Sequence, residues 1–99
     1  MYFILDGENI PLPTEDVVIW ARWHSENKNQ VSIGDDVVKG LRVSTRFFGT
    51  EVLGLVCMWE TLVFSGRKPL QQFRRRYEVY REAVEGHQDV MRQCEVYKK

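Results

Sequence analysis

The sequence predicts an α+β fold, in which one antiparallel β-sheet of about five strands carries two α-helices packed on one face. Three observations lead to this class. Apolar residues in the middle of the chain recur with the period of two that is typical of strands, two flanking stretches have helical spacing, and turn-forming Gly, Asn and Asp residues separate these segments. The 99 residues predict a single domain, 1–99.

The N-terminal third predicts a strand followed by a helix. Tyr2–Leu5 has the composition of a short strand. We expect Pro11 and Pro13 to prevent regular structure before Thr14, because proline lacks the backbone N–H that both helices and sheets use. Thr14 is a good N-cap, so the helix is expected from about residue 15 to about residue 26.

The centre of the chain predicts most of the sheet. Val31–Ile33 and Val37–Lys39 are weak strand signals around Gly34–Asp36, which we expect to form a tight turn. Leu41–Phe48 alternates strictly, which predicts a strand with one buried and one partly wet face. Leu55–Phe64 is apolar on both faces and predicts a central strand.

Two segments allow further interpretation. Gly49–Glu51 is expected to be a connector between the two main strands. Pro69 either opens one long C-terminal helix, or residues 70–78 form a strand and the helix begins near Val79. We prefer strand then helix, because Arg74–Arg76 would repel one another within one helical turn. The predicted order is then β-α-β-β-β-β-α.

Composition excludes several classes of protein. The chain has 14 basic and 14 acidic residues, and this neutral balance argues against a dedicated nucleic-acid binder. No apolar run approaches the ~20 residues of a membrane span, and the N-terminus lacks signal-peptide features, so no membrane partner and a cytoplasmic location are expected. Cys57 and Cys94 are expected to be free thiols, whose proximity is left open. No ligand spacing predicts a metal or a cofactor.

Glu60 interrupts the most apolar strand and is the first candidate for a specific role. A carboxylate buried without a partner is too costly, so it either pairs or faces solvent. The neighbouring strand presents Arg42, Ser44 and Arg46 on one face. Glu60 therefore forms either a structural ion pair with Arg42 or Arg46, or part of a polar floor of all four residues that binds a small anionic ligand. Catalysis would need a second titratable partner, and no catalytic residue is predicted.

A second group of residues predicts a surface for a partner. The basic residues are unevenly distributed along the chain. Residues 1–40 carry seven acids and three bases, whereas residues 41–99 carry seven acids and eleven bases. The candidate contact residues lie at the edge of the first helix and in a basic hairpin. They are Arg22, Trp23, Arg67, Lys68, Arg74, Arg75 and Arg76. The basic residues of the hairpin form either a solvated sheet edge that discourages aggregation, or a site for an acidic protein or a phosphate backbone.

Several segments together carry a family resemblance: Trp20–Trp23, Val43–Thr45, Glu60–Gly66, Tyr77 and Ala83–His87. In this order they resemble a group of small phage and prophage proteins, whose pattern has an aRW-type helix, a VSTvFLG strand, an LFETMVFGG strand and an RYsTWEEAeaGH entry into the final helix. The resemblance spans Leu5 to about Val90. It implies a phage or prophage origin and a strand before the last helix, and it supplies no activity. The chain departs from the pattern between Gly49 and Leu55 and again at its arginine run.

The absence of common catalytic motifs predicts that the protein is not an enzyme. The leading hypothesis is a small phage-encoded accessory protein that binds a host protein, as an inhibitor of host defence. One alternative is a small anionic ligand or nucleotide binder that uses the predicted polar floor. Another is a nucleic-acid-binding module built on Arg74–Arg76. A homodimer is left open.

Overall fold

The computed structural model describes residues 1–97, which contain seven strands in one curled antiparallel sheet and three α-helices. The elements are β1 (Tyr2–Leu5), β2 (Pro11–Thr14), α1 (Val17–Glu26), α2 (Lys28–Val31), β3 (Ser32–Val38), β4 (Leu41–Val52), β5 (Leu55–Ser65), β6 (Lys68–Pro69), β7 (Arg75–Tyr77) and α3 (Tyr80–Glu95). The α+β class and the antiparallel sheet are confirmed. The expected count of about five strands and the order β-α-β-β-β-β-α are wrong.

The two long strands β4 and β5 form the centre of the sheet, in register from Leu41 opposite Ser65 to Val52 opposite Leu55. On the outer edge of β4, β3 pairs with its first half and β1 with its second half, and β2 lies outside β1. On the far edge of β5, β7 and β6 pair one after the other. Each outer edge of the central β4–β5 hairpin is therefore paired with two shorter strands.

Two tight turns connect β3 to β4 and β4 to β5. Lys39 and Gly40 have φ of 49° and 80°, and Leu53 and Gly54 have φ of 52° and 79°. Two central residues with positive φ are the mark of the type I′ turn, whose twist matches that of a hairpin. The expected turn at Gly34–Asp36 is therefore wrong, since these residues lie within β3 and the chain reverses at Lys39-Gly40.

A β-bulge replaces the connector that was expected at Gly49–Glu51. Phe47 lies opposite Trp59 and Thr50 opposite Cys57, so two residues of β4 face one residue of β5. Gly49, the second of these two residues, has φ of 69°, a conformation that glycine adopts without steric cost, and a side chain there would collide with the Phe3 carbonyl. The expectation was wrong because a glycine between apolar runs marks a bulge as readily as a loop.

Two further boundaries differ from expectation at the N-terminal side. Pro11 and Pro13 lie in β2, the outermost strand on this side of the sheet, where a missing N–H costs no ladder hydrogen bond. The first helix begins at Val17, because Asp16 rather than Thr14 is its cap; Asp16 Oδ1 accepts the N–H of Val18 at 2.8 Å.

The C-terminal segment follows the strand-then-helix interpretation in part. Gln71–Phe73 form a short 3₁₀ helix, so the strand is limited to β7, and α3 begins one residue after Val79. None of the helices described in residues 1–97 is long and apolar enough to cross a membrane.

The core lies on the inner face of the sheet, which we define as the face that carries Val43, Thr45 and Phe47. Helix α3 buries Ala83, His87, Val90 and Cys94 there. This packing explains why apolar residues recur with helical spacing in the last part of the sequence.

Helix α1 reaches the inner face through the rings of Trp23 and His24, which contact Phe47. It otherwise lies at the edge of β4, between the ends of β3 and β1. There Trp20 Nε1 and His24 Nε2 both donate to the Phe48 carbonyl, at 2.9 and 3.0 Å. Two side chains of α1 thereby satisfy a carbonyl at the gap between these two strands.

Candidate functional site

The predicted ligand residues lie on the outer face, the face of β4 and β5 away from the core. Strand alternation places Arg42, Ser44 and Arg46 there, between the buried inner residues of β4. Arg46 is directly opposite Glu60 on β5, and Glu60 is directly opposite Arg76 on β7. A row of three charged residues therefore crosses three strands.

Glu60 is buried, with 7% of its side chain exposed, and its partners differ from those predicted. Its Oε2 accepts from Arg74 Nε and Arg76 Nε, both at 2.9 Å. The predicted pair with Arg42 or Arg46 is wrong. The reason is that β7 brings two guanidinium groups to Glu60 from the other side, and this strand pairing could not be read from the sequence. One carboxylate between two guanidinium groups leaves a net positive charge.

The two arginines of β4 have different surroundings. Arg42 donates from Nε and Nη2 to the two carboxylate oxygens of Asp35, at 2.9 and 2.7 Å, and this bidentate pair lowers the pKa of Asp35. Arg46 has no carboxylate within ion-pair distance among residues 1–97, and its guanidinium carbon lies 5.6 Å from the centroid of the Phe48 ring. Arg46 therefore keeps an uncompensated charge.

A groove of about 540 Å³ lies between the C-terminal end of α1, α2 and the outer face of β4. Three of the four predicted ligand residues line it, and Glu60 does not. Beside them are His24, Ser25, Lys28, Val31, Ser32 and Asp35. Burial lowers the pKa of His24, the nearby charge of Arg46 lowers it further, and the hydrogen bond to the Phe48 carbonyl opposes both.

The predicted partner-binding residues do not form one surface. Arg75 points toward α3, where its guanidinium lies 3.7 Å from Asp89, whereas its two neighbours bind Glu60 on the outer face. Strand alternation splits the arginine run in this way. Trp23 is half-buried against Phe47, and Arg22 beside it is exposed. Arg67 and Lys68 are exposed at the β5–β6 turn, as a basic hairpin requires.

A buried chain of hydrogen bonds, which sequence reasoning missed, crosses the core. Tyr77 Oη lies 2.9 Å from Thr61 Oγ1, which lies 2.5 Å from Thr45 Oγ1, which lies 2.7 Å from His87 Nδ1. His87 Nε2 donates to Asp36 Oδ2 at 2.7 Å. The carboxylate fixes the proton on Nε2, so in the neutral ring Nδ1 accepts from Thr45. The sequence signal that could have predicted this network is the pair of threonines at inward positions of two apolar strands.

The order Asp36–His87–Thr45 resembles that of a hydrolytic triad, but it cannot act as one here. Thr45 has no exposed surface, its hydroxyl is already paired with Thr61, and the groove does not reach it. The network instead joins β3, β4, β5, β7 and α3 into one unit.

An exposed apolar surface, also missed, covers one end of the molecule. The β4–β5 hairpin ends in Val52, Leu53, Leu55 and Val56, of which Leu53 is 97% and Leu55 71% exposed. Thr14 pairs with Tyr2 and Tyr2 with Thr50, so the start of α1 lies at the same end of the sheet. It adds the exposed side chains Val17, Val18 and Ile19. We call these seven residues the apolar end.

Both cysteines are free thiols, as expected. Burial raises the pKa of each, and the negative charge of Glu60 raises that of Cys57 further, so neither is an activated nucleophile. No cluster of three or more His, Cys, Asp or Glu residues within residues 1–97 is arranged to hold a metal ion. Comparisons of the chain with protein-family models, with curated proteins and with solved structures found no match.

Proposed function

We propose that the protein acts by binding another protein through its apolar end. The observation that carries this proposal is Leu53. It is almost fully exposed, and it also occupies the first position of a type I′ turn with φ of 52°. The backbone conformation is unfavourable for leucine, and the exposed side chain contributes nothing to the core.

The backbone conformation of Leu53 is costly. An L-residue with a side chain in the left-handed region loses about 1–2 kcal/mol relative to the right-handed region, and Asn or Gly are the residues that type I′ turns prefer. A side chain that costs stability and contacts no core is typical of a functional position. The most direct role for an exposed leucine at a hairpin tip is insertion into an apolar cleft of a partner.

The surroundings of the tip favour a protein partner over a lipid surface. The seven side chains of the apolar end are exposed at the same end of the sheet, and a group of exposed apolar side chains is typical of an interaction site. Between Phe47 and Trp59 the only charged residue is Glu51. A hairpin that docks on an anionic membrane would be expected to carry Lys or Arg beside its apolar tip.

A host protein is the class of partner that we propose, and inhibition of a host defence activity is its proposed consequence. The support is the sequence resemblance to phage proteins together with the exposed tip. The partner is expected to offer an apolar pocket, because the tip itself brings no hydrogen-bonding side chains of its own between Val52 and Val56.

The test compares two variants that remove exposed apolar side chains. In the first, Leu53→Ser and Leu55→Ser alter the tip. In the second, Val37→Ser alters a residue of β3 that is 72% exposed and lies away from the apolar end. Both should fold, because neither touches the core. Proteins captured from a bacterial lysate by the native protein are identified, purified and titrated with each variant.

We expect a purified partner that binds the native protein and the Val37→Ser variant with equal affinity, and the tip variant at least about tenfold more weakly. Partners that bind all three proteins equally would overturn the proposal.

A further inference from the structure

The groove beside α2 has an excess of positive charge that the protein itself does not neutralise. Three basic residues line it, and one acidic residue faces them. The acid, Asp35, holds Arg42 in a bidentate pair. Lys28 and Arg46 have no carboxylate partner within ion-pair distance in the part of the chain that the structure describes.

The charge of Arg46 is unpaired because of the strand order. Arg46 stands opposite Glu60 in the register, and this position alone would predict an ion pair. Glu60 is occupied by Arg74 and Arg76, which reach it from the other side. Arg46 instead lies against the Phe48 ring, which limits its freedom and leaves its N–H groups available.

The remaining lining suits an oxyanion. Three hydroxyl groups, those of Ser25, Ser32 and Ser44, accompany the two free cations, and Val31 is the one aliphatic residue of the lining. A phosphate ester presents three acceptor oxygens and close to two negative charges, so it matches two cations and several hydroxyl donors. A volume of about 540 Å³ lies in the range of small-ligand sites.

We propose that this groove binds a small organic phosphate, with Arg46 and Lys28 as the charged contacts and the three serines as hydrogen-bond donors. The site is independent of the apolar end, because it lies on the outer face beside α2, and a protein partner at the hairpin tip would leave it open. The predicted polar floor is thereby replaced by a site without Glu60.

The experiment titrates inorganic phosphate, adenosine monophosphate, a hexose phosphate and a dicarboxylate into the native protein, followed by calorimetry and by amide shifts in NMR spectra. The groove variant is Lys28→Gln with Arg46→Gln. Its matched control is Lys39→Gln with Arg67→Gln, which removes the same charge from two exposed residues outside the groove.

We expect saturable binding of the phosphates, with amide shifts confined to residues 24–32 and 42–46. The groove variant should weaken this binding at least about tenfold, and the control should stay within about twofold of the native protein. Equal losses of phosphate affinity in both variants would show a general charge effect and would overturn the assignment of the binding site to this groove. Equal affinity for the dicarboxylate, or no saturation at millimolar phosphate, would each overturn the ligand class.

Discussion

At the scale of single residues, the core contains polar side chains that are hydrogen-bonded to one another. Thr45, Thr61 and His87 are buried and each has a partner in the network. Among the described buried side-chain atoms, Trp59 Nε1 is the one without a partner. Because an unpaired buried polar group costs about 1–3 kcal/mol, every member of the network depends on the others.

Thr61→Val should therefore lower the free energy of unfolding by about 1–3 kcal/mol, because Tyr77 loses its acceptor and Thr45 its partner. Tyr77→Phe added to it should cost less than the sum of the single changes, since it removes one of the orphaned groups. Urea denaturation of the two single variants and the double variant checks this. Strict additivity would mean that the hydroxyls are not coupled.

Gly86→Ala should destabilise the protein, although alanine normally favours a helix by about 1 kcal/mol over glycine. A methyl group at position 86 would collide with the Tyr77 ring, so we expect a loss of about 1–3 kcal/mol. Gln88→Ala, at an exposed position of the same helix, should change stability by less than about 0.5 kcal/mol. Thermal or chemical unfolding of both variants measures the difference, and a stabilised Gly86→Ala would show that α3 does not pack on Tyr77 in this way.

His24 should make stability depend on pH in the weakly acidic range. Burial lowers its pKa below the ordinary 6.5, so the unfolded chain binds a proton that the folded protein disfavours. Stability from this source is fully present above about pH 6.5 and decreases as the pH falls from there toward the lowered pKa. The stability advantage over His24→Gln should accordingly shrink between about pH 7.5 and pH 5; an advantage that grew on acidification would contradict the assigned burial.

At the scale of the elements, the two tight turns differ in how closely they follow the residue preferences of type I′ turns. Lys39-Gly40 and Leu53-Gly54 adopt the same backbone conformation at two hairpins, and each has glycine at its second position. At the first position Lys39 is an exposed polar residue, whereas Leu53 is apolar. Leu53 therefore departs further from the preferred turn composition than Lys39 does, and the hairpin tip that contains Leu53 is the one that we propose binds a partner.

Lys39→Asn should stabilise the β3–β4 hairpin by about 0.5–1 kcal/mol, because asparagine tolerates positive φ better than lysine does. Equilibrium unfolding in urea measures this increase, with Lys68→Asn in β6 as a control at a residue without positive φ. A Lys39→Asn variant no more stable than the control would argue against a type I′ turn there.

The main strands and the last helix could be predicted from the sequence, because alternation in Leu41–Phe48 and helical spacing after Val79 are local signals. The parts that could not be predicted depend on distant contacts. Proline is excluded from most strands, yet β2 accepts two prolines because it is an edge. The partners of Glu60 depended on where β7 pairs, and no local pattern specifies that pairing.

The candidate sites were predictable to a similar extent. Alternation correctly grouped Arg42, Ser44 and Arg46, since residues two apart on a strand share a face. The contribution of α2 was missed, because a helix of four residues leaves little periodicity. The apolar end was missed because an apolar run looks like a buried strand until the position of its turn is known.

At the scale of the whole molecule, the protein is elongated, with principal extents of 43, 28 and 21 Å. The two central strands run along its length, so their turns define two opposite ends. The apolar end contains Leu53. The other end contains the Lys39-Gly40 and Gly66-Arg67 turns, which adjoin because Leu41 pairs with Ser65, and it is basic. The groove lies on the outer face between them, so the exposed apolar residues and the charged groove occupy different parts of the molecule.

We propose that Leu53 contacts a partner and that its side chain lowers the stability of the fold. Leu53→Asn tests it most directly, because this change supplies the residue that the turn prefers and removes the apolar tip. We predict that the free energy of unfolding rises by about 0.5–1 kcal/mol, as for Lys39→Asn, while affinity for the purified partner falls at least about tenfold for Leu53→Asn alone. A Leu53→Asn variant that binds as tightly as the native protein would contradict the claim.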